Sequence, residues 1–205
     1  MKLHLGCGRR RLLGYINVDI DQHHEPDLVA DVFKLDAGTK RISQNEFLRV
    51  AFDSESADII YACHVLEHAG RHEYKAVLKR WHEVLKPGGT LRLSVPDLKA
   101  VFRDYVNVDH DGFYDDEPME TYLGFLYGGQ RTEHDYHKMG WDEASLTRDL
   151  IEAGFKDVRR YDRDKTEHAD VDDASACYLP HIKDCKDMAE YRQGRLLSLN
   201  VEASK

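Results

Sequence analysis

The chain has 205 residues, of which 41% are hydrophobic and 33% charged, a balance typical of a folded domain. Its formal net charge of −9 argues against a sequence-independent nucleic-acid binder, which would normally carry a basic face. No apolar run approaches the roughly 20 residues that span a bilayer. Residues 1–6 contain no apolar leader, so we expect a cytoplasmic protein with no membrane association. The four cysteines (Cys7, Cys63, Cys177 and Cys185) form no CxxC pair, and we expect them to be reduced.

The first half of the chain predicts short strands with few helical residues between them. The alternating run Lys2–Leu5 ends at Gly6-Cys7-Gly8, and apolar or β-branched runs predict further strands at 15–20, 28–32, 57–62 and 90–95. A helical turn or two is predicted over 44–50. From Glu73 to Leu85, apolar residues recur every three or four positions, which predicts a helix that ends at the proline and glycines of 86–89.

The second half of the chain predicts more helix. Helices are predicted at 98–107, 120–127 and 142–153, the last with Asp142 as N-cap and Gly154 just past its end. Residues 108–118 are acidic and predict an exposed loop, and 162–195 are charged and weakly periodic. Strands are predicted at 157–161 and 196–203. This alternation indicates an open, mostly parallel α/β sheet with an antiparallel last strand.

Two features point to a ligand at the carboxyl end of the sheet. Glycines directly after a first strand allow a tight turn and close approach of a ligand to the backbone. Asp19 ends the second strand, where a carboxylate can accept hydrogen bonds from ribose hydroxyls. The full dinucleotide fingerprint is absent because a third glycine is missing at the expected spacing. The crossover between these strands is so short that its helix must be short or merely a turn.

The segment His64-Val65-Leu66-Glu67-His68 follows the strand at 57–62. The pattern HxxEH is also an inverted zinc-protease signature, which requires both histidines on one helix. Here His64 falls just past a buried strand, so the pattern favours a histidine and a glutamate that orient a loop.

Taken together, these segments resemble class I S-adenosylmethionine-dependent methyltransferases, and most closely a small branch of the type 11 group. The resemblance covers most of 2–161 and the last strand. It implies a single Rossmann-like domain with a mostly parallel seven-stranded sheet, an antiparallel last strand and helices on both faces. Residues 1–97 would form the cofactor-binding half and 98–205 the substrate-side half. The motifs that carry it are Leu5-Gly6-Cys7-Gly8, Gly14–Ile20, His64–His68, Val84–Leu91, Pro96-Asp97, Gly128-Gly129-Gln130, Asp135-Tyr136-His137 and Ser198–Val201.

The resemblance also implies roles for individual residues. Gly6 and Gly8 would wrap the methionine part of S-adenosylmethionine, with Cys7 contributing backbone rather than thiol. Asp19 would hold the ribose hydroxyls. The remaining cofactor contacts would come from Ile20 on the adenine face, Asp31 and Val32 near the adenine amino group, and Cys63 and His64 beside the sulfonium.

The chain departs from the family pattern between Asp31 and Phe52, where relatives are shorter. This insertion leaves Asp36 as a competitor for the adenine contact.

The polar segment 134–137 provides candidate catalytic residues. We predict that His137 is a general base for the acceptor and that Asp135 orients it or binds the acceptor. The alternatives are a solvated polar loop, or a metal role for His134, Asp135 and His137. Nearby aromatic residues could form either an acceptor wall or part of the core; they are Tyr105, Tyr122, Phe125 and Tyr127.

Three functions remain open from the sequence. The first is methyl transfer to a small-molecule acceptor, such as a sugar or glycan precursor or a secondary metabolite, by a monomer or homodimer. The second is a catalytically silent protein that binds S-adenosylmethionine or S-adenosylhomocysteine. The third is a metal-dependent hydrolase that uses His64, Glu67 and His68. The first is favoured, with no metal and no nucleic-acid partner expected.

Overall fold

A computed structural model describes residues 1–41, 47–106, 119–179 and 194–205. Its helices are α1 (Tyr74–Val84), α2 (Leu98–Val106), α3 (Met119–Tyr127) and α4 (Glu143–Glu152). Its strands, in chain order, are β1 (Lys2–Leu5), β2 (Ile16–Asp19), β3 (Leu28–Val29), β4 (Ala37–Arg41), β5 (Phe47–Ala51), β6 (Ala57–Cys63), β7 (Leu85–Pro96), β8 (Lys156–Arg160), β9 (Tyr178–Leu179), β10 (Arg195–Leu196) and β11 (Ser198–Ser204).

Over these residues the main sheet has nine strands in the order β5-β4-β3-β2-β1-β6-β7-β11-β8, and β9 pairs with β10 apart from it. The pairs β3–β2, β2–β1, β1–β6 and β6–β7 are parallel. Strand β11 lies between β7 and β8 and is antiparallel to both. The predicted Rossmann-like α/β fold, mostly parallel with an antiparallel last strand, is therefore confirmed.

The sheet is larger than the seven strands predicted, because the insertion after Asp31 adds an antiparallel hairpin. Strand β4 pairs with β3 at Thr39 and Val29, and β5 pairs with β4 along its length. The helical turn predicted over 44–50 is wrong at 47–50, which belong to β5; residues 42–46 lie outside the description. A short apolar run such as Phe47–Ala51 cannot be assigned to helix or strand by periodicity alone.

The two crossovers at the start of the chain contain no α-helix. Residues 6–15 form turns between β1 and β2, and the connection from β2 to β3 contains only a single 3₁₀ turn, Gln22–His24. The expected short helix or turn is confirmed as a turn. These short connections leave one face of the sheet without helices from this part of the chain.

Helices α1 and α4 cover one face of the sheet and form its largest apolar core. Alternate strand residues point into this core, among them Leu3 and Leu5 of β1 and Leu91 and Leu93 of β7. Each large apolar side chain buried in this way stabilises the fold by about 1.5–3 kcal/mol. Trp81 of α1 is fully buried, and its indole N–H donates to the carbonyl of Val32 at 2.8 Å. That bond ties the helix to the segment after β3.

The other face of the sheet is covered by an irregular segment, residues 161–179. Helices had been expected on this face as well. The segment contains 3₁₀ turns at Arg163–Lys165 and Ala174–Ala176 rather than an α-helix. Its contacts with the sheet include polar and aromatic ones: the Tyr61 hydroxyl donates to Asp173 at 2.6 Å, and the His168 ring stacks on Tyr61 at 4.2 Å. Val171 adds an apolar contact with the cluster around Tyr61. The connections from β1 to β2 and from β2 to β3 provide no helix for that face, so this irregular segment covers it instead.

The helices of the second half occur where they were predicted. Helices α2 and α3 pack through Val101 and Tyr122, and the Tyr122 hydroxyl donates to Asp104 at 2.9 Å. The acidic loop at 108–118 lies outside the described residues, as does Cys185. Helix α4 begins with a capping box, in which Asp142 accepts from the Ser145 N–H at 2.9 Å and Ser145 accepts from the Asp142 N–H at 3.0 Å. None of the helices described here is both long and apolar enough to cross a membrane.

The capping box gives a test of local stability. We expect Asp142→Ala to lower the free energy of unfolding by about 1 kcal/mol, because one backbone N–H at the start of α4 loses its acceptor. The Ser145 N–H and hydroxyl lower the pKa of Asp142 in the folded protein. The difference between wild type and variant should therefore be complete above the carboxyl's unfolded pKa and shrink as pH falls through the lowered one.

Urea unfolding at pH 7 and at pH 3 measures both effects, with Asp170→Ala as a control at an exposed carboxylate. An Asp142→Ala protein as stable as wild type at pH 7 would show that the cap contributes nothing.

Candidate functional site

Three loops meet at the carboxyl edge of the parallel strands. Strand β1 lies between β2 and β6, so the residues that follow these strands are neighbours in space. They are Gly6-Cys7-Gly8 after β1, Ile20 after β2 and His64 after β6. The structure thus brings together most of the residues for which the sequence predicts cofactor contacts. Ligands of open α/β sheets bind at this edge.

The glycine loop depends on two backbone conformations that disfavour side chains. Gly6 has φ +63°, and a Cβ there would lie 2.5 Å from a methyl group of Val65. Gly8 has φ +52° and faces open space, because a Cβ added there would meet nothing within 4 Å. Cys7 is 4% exposed, and burial raises the pKa of its thiol to about 12. The loop therefore offers backbone and open space to a ligand, and Cys7 is not a thiolate at neutral pH.

Asp19 joins the glycine loop to the end of β2. One carboxylate oxygen accepts from the Gly8 N–H at 2.7 Å, and the other accepts from the Asp21 N–H at 2.9 Å. The second oxygen also lies 3.3 Å from His24 Nδ1. A carboxylate has about four acceptor positions, so Asp19 keeps capacity for ligand hydroxyls. Ile20 follows directly with 43% of its surface exposed. The result is a fixed acceptor beside an exposed apolar side chain.

The two residues predicted near the adenine amino group occupy different environments. The Asp31 carboxylate accepts from the Phe33 N–H at 3.0 Å and pairs with the Lys34 ammonium at 3.0 Å, and a third of the side chain is exposed. Val32 packs into the main core, and its carbonyl accepts from Trp81. The side chain of Val32 is therefore a core residue, and it can offer a ligand only its backbone. Asp36 is exposed on the same connection.

His64 turns the chain sharply out of β6. It has φ +52°, and its N–H donates to the carbonyl of Ser94 at 2.8 Å. Its Nε2 lies 3.1 Å from the Ser198 hydroxyl. Burial lowers the pKa of His64 to about 3, so the ring is neutral, and burial also raises the pKa of Cys63 well above its ordinary value. Both side chains are uncharged beside the glycine loop.

From the sequence, Glu67 was expected only to orient a loop or, as an alternative, to belong to a hydrolase site. It lies in the 3₁₀ turn Leu66–His68, is 0% exposed, and neither carboxylate oxygen has a hydrogen-bond partner among the described residues. Its Oε1 is 3.4 Å from His64 Nδ1 and 4.0 Å from His137 Nε2. Burial raises the pKa of Glu67 to about 8. Its only sequence signal was its place in HxxEH; the approach of His137 could not be read from the chain.

His137 reaches this group from the loop after α3. Its backbone N–H donates to the carbonyl of Tyr127 at 3.0 Å, and its ring Nδ1 lies 2.8 Å from the carbonyl of Phe125. A carbonyl only accepts, so Nδ1 carries the proton and Nε2 keeps its lone pair. Burial lowers the pKa of His137, which favours this neutral form.

Asp135 contacts its own loop rather than the His137 ring. Its carboxylate accepts from the Arg131 N–H at 3.2 Å, and its carbonyl accepts from the Gln130 N–H at 3.0 Å. The carbonyl of Phe125, not Asp135, therefore orients His137. Of the four aromatic residues considered for a wall, Tyr122 is buried between α2 and α3, whereas Tyr105 and Tyr127 are about half exposed.

His68 lies beside Glu67 and His137, and these three residues form a compact polar cluster. The Nδ1 of His68 lies 3.1 Å from the carbonyl of Tyr136, and its ring meets that of His137 edge to face at 4.9 Å between centroids. Glu67, His68 and His137 each offer one donor atom, and these three atoms lie within 4.8 Å of one another. The zinc-protease interpretation of HxxEH is wrong, because the motif lies on a bend and a single 3₁₀ turn.

One cavity lies away from this cluster. It has a volume of about 700 Å³ and runs along α2 and the start of α4, where Leu98, Phe102 and Trp141 line it. None of the predicted site residues lines it. The carboxyl edge of the sheet, rather than this cavity, holds most of the residues predicted to contact the cofactor.

The two glycines give a matched pair of variants. We expect Gly8→Ala to cost about 1–2 kcal/mol of stability, because a side chain disfavours positive φ. Gly6→Ala should cost more, because its Cβ also collides with Val65. Chemical unfolding of both variants measures the difference. Equal losses would mean that the loop relaxes away from Val65.

The first half of the chain is similar to a known family. The family model described as a methyltransferase domain, Methyltransf_11, matches residues 3–93. This span contains most of β1, the glycine loop, Asp19, Glu67 and strands β2 to β6. No curated protein sequence matches the chain.

Solved structures share the fold at low sequence identity. An S-adenosylmethionine-dependent methyltransferase from Archaeoglobus fulgidus is 14% identical, with a TM-score of 0.52, over 100% of this chain and 85% of that one. One from Mesorhizobium loti is 16% identical, with a TM-score of 0.51, over 100% and 90%. The 1,6-didemethyltoxoflavin-N1-methyltransferase of Burkholderia thailandensis, with bound 1,6-didemethyltoxoflavin and S-adenosylhomocysteine, is 18% identical, with a TM-score of 0.51, over 100% and 70%. Residues 3–93 therefore resemble a methyltransferase domain, and the chain has the fold of class I S-adenosylmethionine-dependent methyltransferases.

Proposed function

We propose that this protein transfers a methyl group from S-adenosylmethionine to a small-molecule acceptor. The observation that carries the proposal is the Asp19 carboxylate, held by the Gly8 and Asp21 N–H groups at the carboxyl edge of the matched domain. The acceptor class is a neutral or weakly charged molecule, such as a sugar or glycan precursor or a secondary metabolite. The free cysteines Cys7, Cys63 and Cys177 fit the reducing cytoplasm in which we place it, as a monomer or homodimer.

The residues at the edge fit the parts of this cofactor. The open space beside Gly8 accommodates the methionine part, with Gly6 giving the loop its turn. The carboxylate of Asp19 has acceptor capacity for two ribose hydroxyls, and the exposed side chain of Ile20 suits an adenine face. Asp31 and the backbone of Val32 would meet the adenine amino group, and Cys63 and His64 would line the sulfonium side.

The protein's main contribution to the reaction is alignment and exclusion of water. When bound, S-adenosylmethionine supplies an activated methyl group on a good leaving group, and the acceptor atom takes that methyl as the carbon–sulfur bond breaks. Cys63 and His64 are uncharged and largely buried, so they line this region without competing as nucleophiles. Fixing the two reactants in line removes much of the entropic barrier.

We propose that the acceptor's proton passes to His137. Its Nε2 keeps a lone pair because the Phe125 carbonyl holds the proton on Nδ1. A positioned base of this kind contributes about 10²- to 10⁴-fold in rate. In this proposal Asp135 binds the acceptor or shapes the loop, because its carboxylate and carbonyl hold the turn that precedes His137.

The cofactor assignment is tested by ligand-induced stabilisation. S-adenosylhomocysteine at about 100 times its Kd should raise the stability of the wild type by about 2.7 kcal/mol. Asp19→Asn should bind it about 10- to 100-fold more weakly, because hydrogen bonds to a charged acceptor are worth about 1.5–3 kcal/mol. Thermal shift and calorimetry provide the measurement.

Asp53→Asn, at an exposed site, is the matched control and should bind as wild type does. Asp19→Asn is preferred to Asp19→Ala because it keeps an oxygen for the Gly8 N–H. Unchanged affinity in a folded Asp19→Asn protein would remove Asp19 from the cofactor site.

The base assignment is tested by turnover. We expect His137→Ala to bind S-adenosylhomocysteine normally but to form it from S-adenosylmethionine about 10²- to 10⁴-fold more slowly, once a panel of hydroxylated acceptors has identified a substrate. His134→Ala removes an exposed histidine of the same loop and should retain activity. Full activity of His137→Ala on that substrate would show that another group takes the proton.

A further inference from the structure

We infer that Glu67, His68 and His137 form a binding site for a divalent transition-metal ion, with Zn²⁺ as the ion that best fits the donors. The three residues come from two separate parts of the chain, the turn after β6 and the loop after α3. Two imidazole nitrogens and one carboxylate are a donor set found in catalytic zinc sites. The proposed ligands share Glu67 and His68 with the HxxEH pattern. The third ligand is His137, which is far away in the sequence, instead of His64.

The first observation is the geometry of the cluster. The three donor atoms lie within 4.8 Å of one another, and Glu67 Oε1 is 4.0 Å from His137 Nε2. Zinc bonds of about 2.0–2.1 Å in a tetrahedron place donors about 3.3 Å apart. Side-chain rotations that bring the donors together by up to about 1.5 Å would complete such a site.

The second observation is the unpartnered carboxylate of Glu67. The residue is 0% exposed, and neither oxygen has a hydrogen-bond partner within the described parts of the chain. An ionised carboxylate buried without a partner costs several kcal/mol. Burial favours the protonated form of Glu67 in the absence of a cation, and a cation between Glu67 and the two histidines would instead stabilise the ionised carboxylate.

The third observation is the way in which the two histidine ligands are held. His68 Nδ1 lies 3.1 Å from the Tyr136 carbonyl, and His137 Nδ1 lies 2.8 Å from the Phe125 carbonyl. Each carbonyl holds the proton on Nδ1 and leaves Nε2 free to ligate. Histidine ligands of metal ions are typically oriented in this manner by a carbonyl or carboxylate on the other ring nitrogen.

A role in catalysis rests on the proposed function, although binding of the ion does not. Three protein ligands leave a coordination position open, and an acceptor hydroxyl bound there would lose its proton more readily. Coordination uses the same lone pair of His137 that would otherwise take the proton. In the metal-loaded protein the ion, rather than His137, would activate the acceptor.

The test is metal binding by the full chain without any acceptor. The protein is stripped with a chelator, dialysed, and titrated with Zn²⁺ by calorimetry, and bound metal is counted by elemental analysis. Co²⁺ in place of Zn²⁺ reports ligation by its visible spectrum. We expect one tight equivalent in the wild type and at least tenfold weaker binding in His68→Ala, His137→Ala and Glu67→Gln.

His134→Ala is the matched control, because it removes an exposed histidine three positions before His137, and it should bind as the wild type does. Glu67→Gln is nearly isosteric, and circular dichroism checks that each variant is folded. No tight equivalent in the wild type, or equal binding in all folded variants, would overturn the inference. Binding of S-adenosylhomocysteine to the stripped protein reports on the proposed function separately.

Discussion

The Asp19 carboxylate joins two of the three loops at the carboxyl edge of the sheet. Its two oxygens take the N–H groups of Gly8 and Asp21, so the glycine loop and the end of β2 are held by one side chain. The parallel pairing of β1 with β2 and β6 then brings Cys63 and His64 alongside. A carboxylate held by backbone N–H groups before any ligand arrives is preorganised, which reduces the ordering cost of binding.

A second constraint joins the two halves of the chain. The backbone carbonyl of Glu67 accepts from the N–H groups of Lys138 at 2.8 Å and Met139 at 3.1 Å. These bonds hold the loop after α3 against the turn after β6. They place His137 and His68 beside a buried acid, next to the edge that Asp19 organises. The proposed cofactor-binding half and substrate-side half therefore meet at Glu67, and both the proton transfer and the metal site proposed above depend on this junction.

The sequence predicted those strands, helices and caps that depend on residues close together in the chain. Strands β1, β6 and β7 are apolar or alternating runs, α1 has a three- and four-residue period, and Asp142 occupies a cap position. The hairpin β4–β5 was missed because Phe47–Ala51 is too short for its period to be decisive. The segment 161–179 was not predicted because it packs largely through side-chain hydrogen bonds and isolated apolar contacts, such as Tyr61 with Asp173 and Val171 with Tyr61, which leave no regular apolar period. The cluster at Glu67 was missed because it depends on a contact between residues far apart in the chain.

The central claim is that the cofactor binds at the carboxyl edge around Asp19. A crystal structure of the protein with S-adenosylhomocysteine tests it most directly. We predict that the ribose hydroxyls contact the Asp19 carboxylate, that the adenine lies against Ile20, and that the homocysteine part runs along Gly6 to Gly8. A ligand bound instead in the cavity along α2, with the edge around Asp19 empty, would contradict this claim.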